Sequence, residues 1–406
     1  QGQSGKTFKT TLDLELQKFS TKLLKDKAGS VCVMDIYKGD IIVMASSPSF
    51  DPNKFVHGIS QKDWKQLTQH RDKPLMNKAV SGLYPPGSTI KILVTISALE
   101  NDVVNPKMVQ QCKGHIELYG EKFHCWKKKG HGFVDMKEAI KQSCDVYFYE
   151  VARRLGVDRL SETAKKFGLG KKVLEGFFEE KQGVVPNTKW KKTNIGKNWY
   201  IGETLHSGIG QGYWQTTPLQ LCLVMAQIAN GGYQIKPRII LRDKSFEGLE
   251  EFVKNKEAFG ENLNPLEEFI PRLKYKTLFE NQENINFVKE ALFKATNEPR
   301  GTSYRSRLTK KGFIFAGKTG TSQIRKFTAL QRELEIKNVD LPYEERDHAL
   351  FVAFAPYHDP RYALSIVIEH GGSGSGTAAP IAKQVIKKLL ERHSLREVQQ
   401  IKGESV

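Results

Sequence analysis

The chain has 406 residues, 39% of them hydrophobic, enough for one large domain or two closely packed subdomains around a substantial core. Its 63 Lys and Arg outnumber its 45 Asp and Glu for a formal net charge of +18, so the surface attracts anions, yet the basic residues are scattered without an aromatic-interleaved RNP or zinc-finger pattern, which argues against nucleic acid. No run approaches the ~20 apolar residues that cross a bilayer, and no signal-peptide pattern opens the chain.

Residues 1–6 are polar and Gly-rich and lead straight into Thr10-Thr11-Leu12-Asp13, which reads as the trimmed edge of something longer. The first clear element is a hairpin, with β-rich runs at 30–35 and 40–45 joined through Tyr37-Lys38-Gly39. At Tyr84-Pro85-Pro86-Gly87-Ser88-Thr89-Ile90-Lys91 the chain breaks and then opens an apolar-periodic helix through Ile90, Leu93, Val94 and Ala98. Ser88 falls in the first turn of that helix, and Lys91, three residues on, shares its face. A serine hydroxyl becomes a good nucleophile when a base takes its proton, and a lysine serves as that base when burial and the positive helix N-terminus favour its neutral form. Taken alone, the pair also fits a helix cap beside a solvated lysine.

Cys112, Cys125, His131 and Cys144 follow, a set of soft and borderline ligands suited to a closed tetrahedral Cys₃His zinc site. Their spacing is not that of a standard finger, and a Cys112–Cys125 disulfide or cysteines buried as small hydrophobes fit it too. Five cysteines in all rule out a fully disulfide-paired monomer; Cys32 and Cys222 read as core residues, and His124 is a substitute ligand. Cys144 lies inside Ser143-Cys144-Asp145, a loop between a helix opened by Asp135, with Glu138 three residues later, and another over 146–155 that stops before Gly156. There Ser143 can relay a proton, and Asp145 can hydrogen-bond an amide or orient Lys91. The segments 242–285 and 324–347 read as polar surface insertions. Three further β runs, 312–319, 348–356 and 361–369, join the first hairpin in a five-stranded antiparallel sheet. Ala378, Ile381, Ala382, Val385, Ile386, Leu389 and Leu390 mark a helix that covers one face of it. At the end of the first of these runs stands Lys318-Thr319-Gly320-Thr321: a cation, two hydroxyls for a carboxylate, and a Thr321 amide able to join the Ser88 amide as oxyanion donor.

Three elements in one order, S-x-x-K, then S-x-D, then K-T-G, are what carry the reading, since S-x-x-K and K-T-G each occur once in the chain. This ordered triple resembles the site of penicillin-binding proteins. The resemblance to class B penicillin-binding proteins extends through 11–17, 49–53, Gly208-Ile209-Gly210-Gln211-Gly212 and Arg300-Gly301-Thr302. With Asp347-His348-Ala349-Leu350-Phe351 and Ala353-Phe354-Ala355-Pro356 it points to the elongation-type branch, penicillin-binding protein 2. One departure is Asp145, where many relatives carry Asn.

The resemblance implies an α+β layered transpeptidase fold like that of the serine β-lactamases, with a sheet subdomain from 1–85 and 286–406 and a mainly helical subdomain from 86–285. It implies a D,D-transpeptidase that cross-links peptidoglycan stem peptides through a Ser88 acyl-enzyme and is trapped by β-lactams, with no cofactor in the chemical step. It also implies a place on the periplasmic side of a bacterial inner membrane, an N-terminal anchor and pedestal, and MreC and the SEDS glycosyltransferase RodA as partners. Some members carry a similar metal site with acidic residues replacing cysteines. A carboxypeptidase or β-lactamase of the same fold, and a catalytically silent β-lactam sensor or scaffold, stay open on sequence alone.

Overall fold

The computed structural model describes residues 8–241, 276–325, 331, 336 and 338–401. Among them, five strands form an antiparallel sheet in the order β2-β1-β9-β8-β7, where β1 is Gly29–Asp35, β2 Ile41–Ser47, β7 Ala316–Ser322, β8 His348–Ala355 and β9 Tyr362–Ile368. The three inner strands are buried almost end to end, whereas β2 alternates buried with half-buried residues. Burial on both faces requires a layer of helices on each side, and the two-residue period of a strand divides the core accordingly. Val31, Val33, Phe351 and Ile366 pack with Ala382, Val385, Ile386 and Leu389, which belong to the last helix, Ala379–Ile401. Cys32, Met34, Val352 and Val367 face the other way, towards α4 (Lys91–Glu100) and α10 (Pro218–Ala229).

The layered α+β architecture, the five strands and the covering helix match the expectation from sequence. α4 is buried along its whole length except for Glu100; a helix apolar all round belongs in the middle of a domain, and this one carries Lys91 into the core with it. α10 begins with Thr217 and Gln220 capping each other's main-chain N–H groups, followed by Pro218 at its first position, an N-terminal arrangement that leaves few orphan donors.

Two expectations need correction. The strand expected at 312–319 starts at Ala316 and continues to Ser322, because Lys310-Lys311-Gly312 closes a turn, Gly312 at φ +79° and Phe313 N–H bonded to the Lys310 carbonyl at 2.9 Å. Lys318-Thr319-Gly320 therefore sits within the strand and not at its end. The region from 86 to 300, expected as helices and loops, also contains two small ribbons. One pairs β3 (Gln110–Cys112) with β6 (Gly132–Val134), and the other pairs β4 (His115–Leu118) with β5 (Glu121–His124). Most of the 242–285 insertion and part of the 324–347 insertion lie outside the described residues.

Candidate active site

A tight turn over Gly87–Ile90 leads directly into α4 and places Ser88, half-buried, at its mouth. The residues either side of Ser88 touch β7. A Cβ added to Gly87, which has φ +53°, would fall 2.4 Å from the Thr321 carbonyl oxygen, and the Thr89 methyl lies 2.9 Å from where a Gly320 Cβ would stand. Only glycine allows both the positive φ and this backbone approach. Behind the same contact, the Gly87 N–H donates to the Gly210 carbonyl at 3.0 Å, and the Gln211 side chain donates to the Thr321 carbonyl at 3.1 Å.

Lys91 is fully buried, one turn below Ser88. Its Nζ donates to Asp145 Oδ1 at 2.7 Å, to the Ser143 carbonyl at 3.0 Å and to Ser143 Oγ at 3.3 Å. From the opposite side, Lys318 Nζ reaches Ser143 Oγ at 2.8 Å, so the Ser143 hydroxyl lies between two lysine amines. Thr319 donates its hydroxyl to Thr302 at 2.8 Å. Ser88, Lys91, Ser143, Asp145, Lys318, Thr319, Gly320 and Thr321 are thus all brought to one place by α4, β7 and the loop between two helices, α5 (Met136–Lys141) and α6 (Asp145–Leu155). Ser143 has φ +56°, a conformation costing a non-glycine residue of order 1–3 kcal/mol, and its loop is tied down by the Cys144 N–H bonded to the Ala139 carbonyl at 2.9 Å.

Burial, reinforced by the Lys91 charge and opposed by Asp145, holds the Lys318 amine well below the usual lysine range. Burial pushes the Asp145 carboxyl up, and the Lys91 ammonium pulls the other way. Both Asp145 oxygens are engaged, the second accepting the Trp126 N–H at 2.9 Å. The exposed Trp126 indole also donates to the Gln142 and Ser143 carbonyls at 3.1 and 3.0 Å. Trp126, Gln211 and Thr302 escaped notice as site residues in the sequence. The only signals for them were adjacency to Cys125 and membership of the two segments, 208–212 and 300–302, that resemble the family.

The four candidate metal ligands also meet. All five cysteines are unbridged and buried, and the donor atoms of Cys112, Cys125, His131 and Cys144 lie within 4.8 Å of one another. His131 Nδ1 is 3.5 Å from the sulfurs of both Cys112 and Cys125. A zinc ion with Zn–S of about 2.3 Å and Zn–N of about 2.0 Å in tetrahedral geometry sets that edge at about 3.5 Å, so the donor set fits zinc. Hydrogen bonds with Cys125 and Cys144 hold the Cys112 thiol well below the ordinary thiol range, while hydrogen bonds with Cys112 and Cys125, together with burial, hold Cys144 above it. The cluster abuts the Ser143–Asp145 loop, with the Asp145 N–H 3.4 Å from Cys125 Sγ.

Comparison with known proteins agrees with this geometry. The penicillin binding protein transpeptidase domain family matches residues 29–387. The peptidoglycan D,D-transpeptidase MrdA of Salmonella typhimurium is 35% identical over 96% of this chain and 59% of its own length, and that of Escherichia coli K12 is 32% identical over 96% and 58%. The chain therefore spans about three-fifths of the length of these relatives. Among solved structures, Pseudomonas aeruginosa PBP2 in complex with WCK 5153 superposes with a TM-score of 0.79 at 34% identity, covering 95% of this chain and 79% of that one. PBP2 of Helicobacter pylori, in its complex with MreC, gives 0.80 at 32% identity over 95% and 64%. With the three motifs assembled around Ser143 and the match running nearly end to end, the chain belongs to the penicillin-binding protein transpeptidase family, in its elongation-type penicillin-binding protein 2 branch.

Proposed function

We propose that this domain is a serine D,D-transpeptidase that cross-links peptidoglycan stem peptides during cell elongation. The observation that carries the proposal is the meeting of Lys91 and Lys318 on the Ser143 hydroxyl beside the Ser88 turn. Ser88 Oγ attacks the carbonyl of the penultimate D-alanine and passes its proton to the neutral form of Lys91, restoring the ammonium that pairs with Asp145 at 2.7 Å. The Ser88 and Thr321 amides take the oxyanion. As the tetrahedral adduct collapses, the carbon–nitrogen bond breaks and D-alanine leaves with the proton returned through Lys91 and Ser143. A second stem's amine then attacks the ester, loses a proton to the same relay and releases Ser88. Lys318, Thr319 and Thr321 hold the terminal carboxylate of the donor stem, and a β-lactam acylates Ser88 by mimicking that stem.

Cys112, Cys125, His131 and Cys144 would hold a zinc ion, which would supply structural cross-linking only, tying the 112–131 insertion to the loop that carries Ser143 and Asp145. Elemental analysis of the purified protein is expected to give about one equivalent of zinc; well under one removes the clamp. The chain acts on the periplasmic side of an inner membrane, held by an N-terminal anchor, with RodA and MreC as partners; the complex formed by the Helicobacter pylori relative supports MreC. The deciding test is intact mass after penicillin treatment. The parent gains one drug equivalent and Ser88→Ala gains none; an adduct on the Ala variant would remove Ser88 as nucleophile. Turnover of a stem-peptide donor with an acceptor amine separates transpeptidation from hydrolysis and from a silent sensor.

A further inference from the structure

Behind the Gly210–Gln211 contact lies an ion pair that the chemistry above does not use. Lys191, on α8 (Thr188–Ile195), is almost wholly buried, and its Nζ stands 2.5 and 2.7 Å from the two carboxylate oxygens of Glu203, on α9 (Ile201–Gly208). Around the ammonium stand the rings of Tyr200 at 4.7 Å, Trp199 at 5.9 Å and Tyr213 at 5.9 Å, an aromatic cage whose negative faces suit a desolvated cation. Glu203 does more than balance the charge. Its Oε2 accepts the Tyr200 N–H at 2.7 Å, and its Oε1 accepts the Tyr213 hydroxyl at 3.1 Å.

Tyr200 and Tyr213 are the two ends of one segment. Between them run α9 and the glycine-rich loop 208–212, in which Gly210 has φ +74° and Gly212 φ +81°. Such a loop is costly to order, and it is ordered where precision matters. Gly210 packs so closely on Gly87 that an added Cβ would lie 2.1 Å from the Gly87 carbonyl oxygen. Gln211 holds the Thr321 carbonyl. The loop therefore bears at once on the residue preceding the Ser88 amide and on Thr321, the two proposed oxyanion donors. Their separation is set by this three-backbone contact, and the contact is held from behind by Glu203.

We propose that Lys191 and Glu203 are positioning residues for the oxyanion hole: a caged ion pair that staples both ends of the 200–213 segment and so fixes the spacing of the Ser88 and Thr321 amides. The inference rests on the transpeptidase reading above. Acylation by a fluorescent penicillin at 25 °C, resolved into pre-acylation affinity and acylation rate constant, tests it. In Lys191→Met the rate constant is expected to fall about tenfold, because small displacements of reacting groups cost this much or more, while affinity stays within about twofold, since Lys318 and Thr319, which also hold the donor carboxylate, lie outside the displaced contact. Lys191→Arg, which keeps the cation and the carboxylate bond, restores most of the rate.

Tyr213→Phe deletes one hydroxyl and leaves the cage intact, so it decides the matter should Lys191→Met fail to fold. A fall of about threefold in its rate constant, with unchanged affinity, is expected from loss of one hydrogen bond to a charged group. A folded Lys191→Met, or a folded Tyr213→Phe, with the parent's rate constant would overturn the proposal even if its melting temperature were lower. Labelling of Ser88→Ala in the same assay would overturn the reading beneath it instead.

Discussion

Asp347 and His348 are neighbours that titrate in opposite senses. Burial raises the Asp347 carboxyl from 3.8 to about 6, against an accepted N–H bond from Ile324. Burial, with the adjacent His370, lowers the His348 imidazole from 6.5 to about 4, where its ring lies edge-on to Tyr84 and His370. Between about pH 4 and 6 the folded chain keeps a proton on Asp347 that the unfolded chain has released, so this group makes stability fall as pH rises. Between about pH 4 and 6.5 the unfolded chain carries a proton on His348 that the folded chain lacks, so this group makes stability rise. The two slopes oppose each other in the parent. Asp347→Asn should therefore gain stability with pH more steeply than the parent across this window, and His348→Gln less steeply, as read from melting temperature between pH 4 and 6.5. Variants whose profiles run parallel to the parent's would contradict both assignments. None of this was visible in the sequence, where Asp347-His348 counted only as part of a family resemblance; burial of a polar pair at a strand end is a tertiary fact.

At the scale of elements, β2 shows how the sheet ends. An edge strand offers unpaired main-chain groups that invite another chain, and here they are met one after another. The Ile41 N–H donates to the Arg238 carbonyl, the Ile42 carbonyl accepts the Asp13 N–H, and Gln17 closes the series. Its amide donates to the Met44 carbonyl at 3.0 Å and accepts the Met44 N–H at 2.9 Å, so one side chain stands in for a strand. Replacing Gln17 by Ala leaves both Met44 groups unmatched, with an expected cost of about 1–3 kcal/mol in urea unfolding and a greater tendency to self-associate on concentration. An unchanged midpoint would show that water replaces the side chain without loss. Strands of seven or eight residues were legible from their apolar runs, and the helix after Gly374–Ala378 from its spacing. The ribbons β3–β6 and β4–β5 were not, because three or four residues of mixed polarity carry no period to detect.

For the molecule as a whole, the site was more legible than the architecture around it. The proposed acyl transfer demands particular residue types, so Ser88, Lys91, Ser143 and Lys318 announce themselves by identity and order, and the fold brings them together. Trp126, Gln211 and Glu203 act by holding main-chain groups, a task that many residues perform and that spacing does not reveal. Even the placement of Lys318 within β7 depended on where pairing with β8 begins. The sheet itself joins distant parts of the chain, with β1 lying between β2 and β9. This has a consequence for synthesis. A ribosome adding roughly 5–20 residues per second finishes the hairpin at Ser47 some tens of seconds before it reaches Ile368, the partner of Gly29. Throughout that interval the inner edge of β1 lacks its neighbour β9, and an unpaired strand edge invites pairing with another copy of the chain.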